Sequence, residues 1–110
     1  VCTPLCLVDP KQFPNIRFST CSADIKNRPL TVDIKGDLRF CNHSPTVLGN
    51  IFKDDLKTML NSEKANSWAD TIPDFCSNCD KYNKCMAGCR AAAEQLNMSL
   101  NSPDPVILDM

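Results

Sequence analysis

The chain has 110 residues, enough for one domain and little more. Twelve basic and thirteen acidic residues leave a net charge of −1, which argues against nucleic-acid or membrane partners, and no apolar run is long enough to span a bilayer. Eight cysteines stand against five Phe, one Trp and one Tyr, so the apolar supply is thin and disulfides or metal are expected to cross-link the fold.

In chain order, residues 1–20 are broken by Pro4, Pro10 and Pro14 and read as an irregular lead-in. No charged-then-apolar segment opens it, so no secretory signal is read and a cytoplasmic location is expected; Val1 in place of Met points to an excised fragment. Residues 21–41 carry a hairpin. Pro29-Leu30-Thr31-Val32-Asp33-Ile34 alternates and is β-branched, Lys35-Gly36 turns, and Asp37-Leu38-Arg39-Phe40 runs back. A cysteine, Cys21 or Cys41, sits at or beyond each end.

Asn42 to Asn50 reads as a polar connector, with Ser44-Pro45 and Gly49-Asn50. The segment 52–70 is helical. From Lys53 to Leu60, Phe52, Leu56, Met59 and Leu60 share one face, and Asp54 and Asp55 fall in the first turn, where the helix dipole explains them without catalysis. Ser62 caps a second short helix that runs through Trp68, with Ala65 and Trp68 facing inward. Residues 76–97 form a cysteine loop and helix, on which Cys85, Cys89, Ala92 and Leu96 share helical spacing. The tail, 98–110, holds Pro103 and Pro105 and cannot be helical throughout. The lysines and arginines are dispersed and read as solvated surface; His43, the single His, reads as exposed in a polar loop. Together these elements predict a small, metal-cross-linked α+β domain: one β-hairpin, then short helices and a cysteine-rich loop.

The chemistry lies in the cysteines. Cys76, Cys79, Cys85 and Cys89 form C-x2-C-x5-C-x3-C within fourteen residues. Two residues between cysteines let both sulfurs point inward on a tight loop, while backbone N–H groups face them and stabilise their negative charge. A disulfide framework would need one of 105 pairings of eight cysteines and an oxidising compartment that nothing here signals. A zinc ribbon would pair two knuckles of similar spacing, whereas only Cys76/Cys79 forms a knuckle. An all-thiolate iron–sulfur site gathered from scattered positions fits best, with a structural zinc-binding interaction module as the alternative.

At this point the pattern resembles a known family. Cys21 and Cys41 belong to C-x14-G-x4-C around Gly36, and Cys76-x2-Cys79-x5-Cys85-x3-Cys89 follows after a gap. The text "LTVDIKGDLRFC", "VLGNIFKDDLKTML" and "CMAGCRAAA", with Ala87 in place of a Gly, is similar to the SPASM domain, the C-terminal auxiliary-cluster domain of many radical SAM enzymes, over roughly residues 21–97. The resemblance implies one or two auxiliary 4Fe–4S clusters, used for electron transfer or substrate binding in an enzyme that modifies peptides or proteins, of the anaerobic sulfatase-maturase type. It implies Cys6, Cys21, Cys41 and Cys89 as ligands of a first cluster and Cys76, Cys79 and Cys85 as ligands of a second. The family's final Cys follows an Asp-Pro, but Asp104-Pro105 leads here to Val106-Ile107. The fourth ligand of the second cluster stays open among Cys2, Asp80, Asp104, Asp109 and residues beyond the chain, as do an open-site cluster, a different metal and an empty site.

The resemblance also implies partners: the radical SAM barrel of the same enzyme and a peptide or protein substrate, with no nucleic acid and no membrane. The chain itself supplies no catalytic residue. Cys2-Thr3-Pro4-Leu5-Cys6 gives the first spacing of a SAM-cleaving C-x3-C-x2-C loop, but Asp9 stands where its third cysteine belongs, and the eight residues given before it are too few for a barrel. S-adenosylmethionine is therefore expected only in a catalytic domain outside this sequence.

Overall fold

A computed structural model describes residues 2–22 and 24–109. The chain divides into two compact units, one formed by residues 22–71 and the other by residues 1–21 with 72–110. Both are built from short elements, and the α+β class read from the sequence holds. Among the described residues, no helix is long and apolar enough to cross a membrane.

The 22–71 unit is organised by the hairpin. Thr31–Val32 (β1) pairs antiparallel with Asp37–Arg39 (β2), with Thr31 opposite Arg39 and Val32 opposite Leu38. The turn between them closes through Gly36 N–H to Asp33 O at 3.0 Å, and Gly36 has φ +88°, a conformation that a Cβ would strain. Asp33 ties this end together. It accepts from the Lys35 and Asp37 amides at 2.8 and 3.1 Å and pairs with Arg39 at 3.2 Å. These contacts hold its carboxyl below the usual carboxylate range, the Asp37 amide contributing most.

A third strand, Val47–Asn50 (β3), pairs with β2 across a bulge between Leu38 and Arg39, where the polar connector was expected. Only Val47-Leu48 is apolar there, too short a run to show alternation. Tertiary contacts make the strand: Asn50 Nδ2 donates to Lys35 O at 2.9 Å and to Asp37 Oδ1 at 3.0 Å.

The helix expected from Lys53 starts later, at Leu56, and ends at Leu60 (α1). Asp55 is its N-cap, accepting from Thr58 N–H at 3.0 Å, while Asp54 accepts from Asn50 N–H at 2.8 Å and so lies outside the first turn. Of the expected apolar face only Met59 is buried, and Phe52 is 80% exposed. Glu63–Asp70 (α2) follows the sequence reading closely. Ser62 Oγ accepts from Ala65 N–H at 3.3 Å, and Ala65 and Trp68 are buried. Trp68 stacks on Phe40, ring centroids 4.2 Å apart, and with Ile25, Leu38 and Met59 they form this unit's core.

The other unit has no such core. Its buried side chains are Pro4, Pro73, Cys76, Ala87, Ala91, Ala93 and Ile107, with the polar Arg90 and Asp104. The lead-in turns at Pro4–Leu7 and forms a 3-10 helix at Pro10–Gln12, capped by Asp9. Asp74–Cys76 is a second 3-10 turn, and Tyr82–Cys85 (α3) and Arg90–Gln95 (α4) follow. The last turn, Pro105–Asp109, is again 3-10, with Pro105 at its first position, where a missing N–H costs nothing.

Candidate metal centre

The loop from Cys76 to Cys89 is a succession of tight turns, each anchored on a cysteine carbonyl. Cys79 N–H donates to Cys76 O at 3.1 Å, Tyr82 N–H to Cys79 O at 3.3 Å, Gly88 N–H to Cys85 O at 3.2 Å and Ala92 N–H to Cys89 O at 3.2 Å. Repeated reversals of this kind bring thiols separated in sequence to one side. The sharpest lies between Cys85 and Cys89, where Met86, Ala87 and Gly88 all have positive φ, at 52°, 64° and 71°. A single helix through Cys85 and Cys89 is thereby excluded: α3 stops and α4 restarts. Gly88 is required there, because a Cβ would lie 2.6 Å from Asp104 Oδ2 and 2.8 Å from Pro4 Cγ. The inward face of α4 is Arg90, Ala91 and Ala93, not Cys85, Cys89, Ala92 and Leu96; Leu96 is 62% exposed.

Cys76, Cys79 and Cys85 line one cavity together with Cys6, and Pro4, Phe75, Tyr82, Ala87 and Ile107 supply most of its apolar wall. The resemblance assigned Cys6 to the other set; the structure puts it beside this one. Cys76 is buried, Cys85 half-buried, and Cys6 and Cys79 are exposed at the rim. Burial pushes the Cys76 thiol up, and nearby Cys85, Cys79 and Cys6 push it further, against the pull of Arg90. Partial burial likewise raises the Cys6 thiol; a backbone hydrogen bond opposes it, and Cys85 and Cys79 add to it. Both thiols therefore favour the protonated form, and metal binding has to expel protons.

The remaining expected ligands are not among the residues that line this cavity. Cys21 and Cys89, both half-buried, belong to the unit that holds the loop, and Cys41 follows β2 in the other unit. Cys2 Sγ lies 3.7 Å from Ser19 Oγ. Among the carboxylate candidates, Asp80 is exposed, and Asp104 is buried with both oxygens engaged. Its Oδ2 accepts from Cys89 N–H at 2.8 Å and Oδ1 from Val106 N–H at 3.1 Å, so Asp104 caps α4. The side chain of Asp109 lies outside the described residues. All eight cysteines carry thiols and none is in a disulfide. Among the described residues, no three His, Cys, Asp or Glu side chains stand close enough to hold a single metal ion.

Arg90 was read from sequence as one of the solvated cations, and that reading is corrected: it is 2% exposed. Its Nη2 donates to Leu100 O at 2.9 Å, and its Nη1 is buried with no hydrogen-bond partner. Burial lowers the guanidinium pKa, and the neighbouring Tyr82, Cys76 and Cys21 oppose that shift. A buried cation costs several kcal/mol unless an anion meets it. Four thiolates around an iron–sulfur core carry net negative charge, so the spare N–H beside Cys76 and Cys21 suits that group, and the donor set fits it. In the sequence Arg90 is marked only by its place directly after Cys89, in "CMAGCRAAA", which does not separate a buried cation from an exposed one.

One family model, SPASM, described as an iron–sulfur cluster-binding domain, matches residues 21–89, more than half of the chain. Searches of curated proteins and of solved structures found no match.

Proposed function

The chain belongs to the SPASM family and is an iron–sulfur cluster-binding domain, and from that premise we propose that it holds auxiliary 4Fe–4S clusters for electron transfer or substrate binding within a radical SAM enzyme that modifies peptides or proteins. The observation that carries the reading is the thiol-lined cavity beside a buried guanidinium whose Nη1 has no protein partner.

When bound, such a cluster accepts and returns one electron at a potential set by its burial and by hydrogen bonds to its sulfurs. The chain's own residues prepare that environment. Cys76, Cys79 and Cys85 are presented by consecutive turns, and Arg90 supplies buried positive charge. Leu5 N–H already donates to Cys85 Sγ at 3.4 Å, the kind of amide contact that tunes a cluster through its sulfurs. Pro4, Phe75, Ala87 and Ile107 thin out water around the cysteines, which strengthens each of those contacts. Cys21, Cys41 and Cys89 are assigned to a first cluster on the strength of the sequence resemblance.

The test is anaerobic reconstitution followed by iron, sulfide and visible absorbance. Brown protein with equal iron and sulfide, reducible by one electron per cluster, is expected. Colourless protein with stoichiometric zinc and no iron would contradict the reading and favour a structural zinc module.

A further inference from the structure

We propose that Cys6 is the fourth thiolate of the cluster held by Cys76, Cys79 and Cys85. The inference rests on the iron–sulfur reading above and names one ligand within it. Three turns of the loop supply three thiols to the cavity, and a four-iron cluster whose irons are all held by protein takes a fourth donor, on its own iron and set wider than the ligands of a single ion.

Two segments approach from outside the loop. The C-terminal turn contributes Ile107, which is 5% exposed and has no donor atom, while the next-door Val106 faces outward at 46%. Asp104, the carboxylate of that segment whose side chain is described, has both oxygens committed to backbone amides. The lead-in contributes Cys6. It is the only remaining thiol on the cavity wall, where the other polar side chains, Lys81 and Tyr82, are poor iron ligands.

Cys6 is also held in place. Leu7 N–H closes a turn on Pro4 O at 3.1 Å, and Pro4 is buried against Gly88, where a Cβ would come within 2.8 Å of its ring. Immediately before Cys6, Leu5 N–H bonds to Cys85 Sγ across eighty residues of sequence. A ligand pinned on both sides loses little further freedom on binding metal, which is the condition for a well-formed site. The cluster then joins the lead-in to the C-terminal loop.

The experiment is alkylation footprinting of the reconstituted chain by iodoacetamide under anaerobic conditions, read by mass spectrometry with iron and sulfide measured in parallel. In the unmodified chain Cys6 is expected to be protected. Cys79→Ala should expose Cys6 while leaving Cys21 protected, and Cys89→Ala should leave Cys6 protected. Cys6→Ala should lower iron by roughly one to four atoms per chain, according to whether a three-thiolate cluster survives. Cys6 alkylated in the fully loaded chain would overturn the assignment. So would Cys89→Ala exposing Cys6 while Cys76 and Cys79 stay protected, since Cys6 would then serve the other cluster. A chain that takes up neither iron nor sulfide would instead overturn the iron–sulfur reading itself.

Discussion

The two units solve the same problem by different means. The 22–71 unit buries Ile25, Leu38, Phe40, Met59, Ala65 and Trp68, including a stacked aromatic pair, and contains one cysteine. The other unit buries alanines, prolines and Ile107, holds the other seven cysteines, and keeps a cation and a carboxylate in its interior. An aromatic core stabilises a fold without help, whereas small residues leave too little apolar area to offset the entropy of ordering the chain. The difference predicts where metal matters most: packing holds the 22–71 unit, to which the resemblance assigns one ligand, Cys41, while the cysteine-rich unit has little besides its thiols to order it.

Removing iron should break the comparison most visibly. The chain carries one Trp, in the packed unit, and one Tyr, in the cysteine-rich unit, so each has its own optical reporter. Chelation under anaerobic conditions should loosen the surroundings of Tyr82 and leave Trp68 emission blue-shifted; a joint loss of both signals would make the packed unit metal-dependent too. Trp68→Ala should cost about 4 kcal/mol in the packed unit by emptying the space beside Phe40, measured by denaturant titration followed by circular dichroism. Iron content should be unchanged by it. Ser62→Ala removes the α2 N-cap and should cost about 1 kcal/mol in the same titration.

The smallest effect is that of Asp33. Its pKa is lowered in the fold, so its contribution is present above the unfolded value and is lost as pH falls through the folded one. Asp33→Asn should flatten the acid limb of the packed unit's stability between about pH 4 and the lower folded pKa, with no change at pH 7 in the shape of the profile.

What could be read from the sequence was what neighbours decide. The Gly36 hairpin and the Ser62-capped helix carry their signals within a few residues, and both formed as read. The third strand did not announce itself, because Val47-Leu48 becomes a strand only when Asn50 closes on Lys35 and Asp37. In the site, the cysteine spacing was enough to indicate metal. The company Cys6 keeps was not legible, because it depends on Leu5 meeting Cys85 and Pro4 meeting Gly88. Nor was the burial of Arg90, since a cation after a cysteine looks the same in sequence whether it faces water or sulfur.

The central claim is that metal orders the cysteine-rich unit, whereas packing keeps the other, with its one expected ligand Cys41, folded without it. Hydrogen exchange of the apo and reconstituted protein tests it most directly, read at the amides of Leu38 and Trp68 in one unit and of Cys79, Gly88 and Ala92 in the other. The expected result is protection of Leu38 and Trp68 in both samples and protection of Cys79, Gly88 and Ala92 only when iron is bound. Equal protection of the cysteine loop with and without iron would contradict the account.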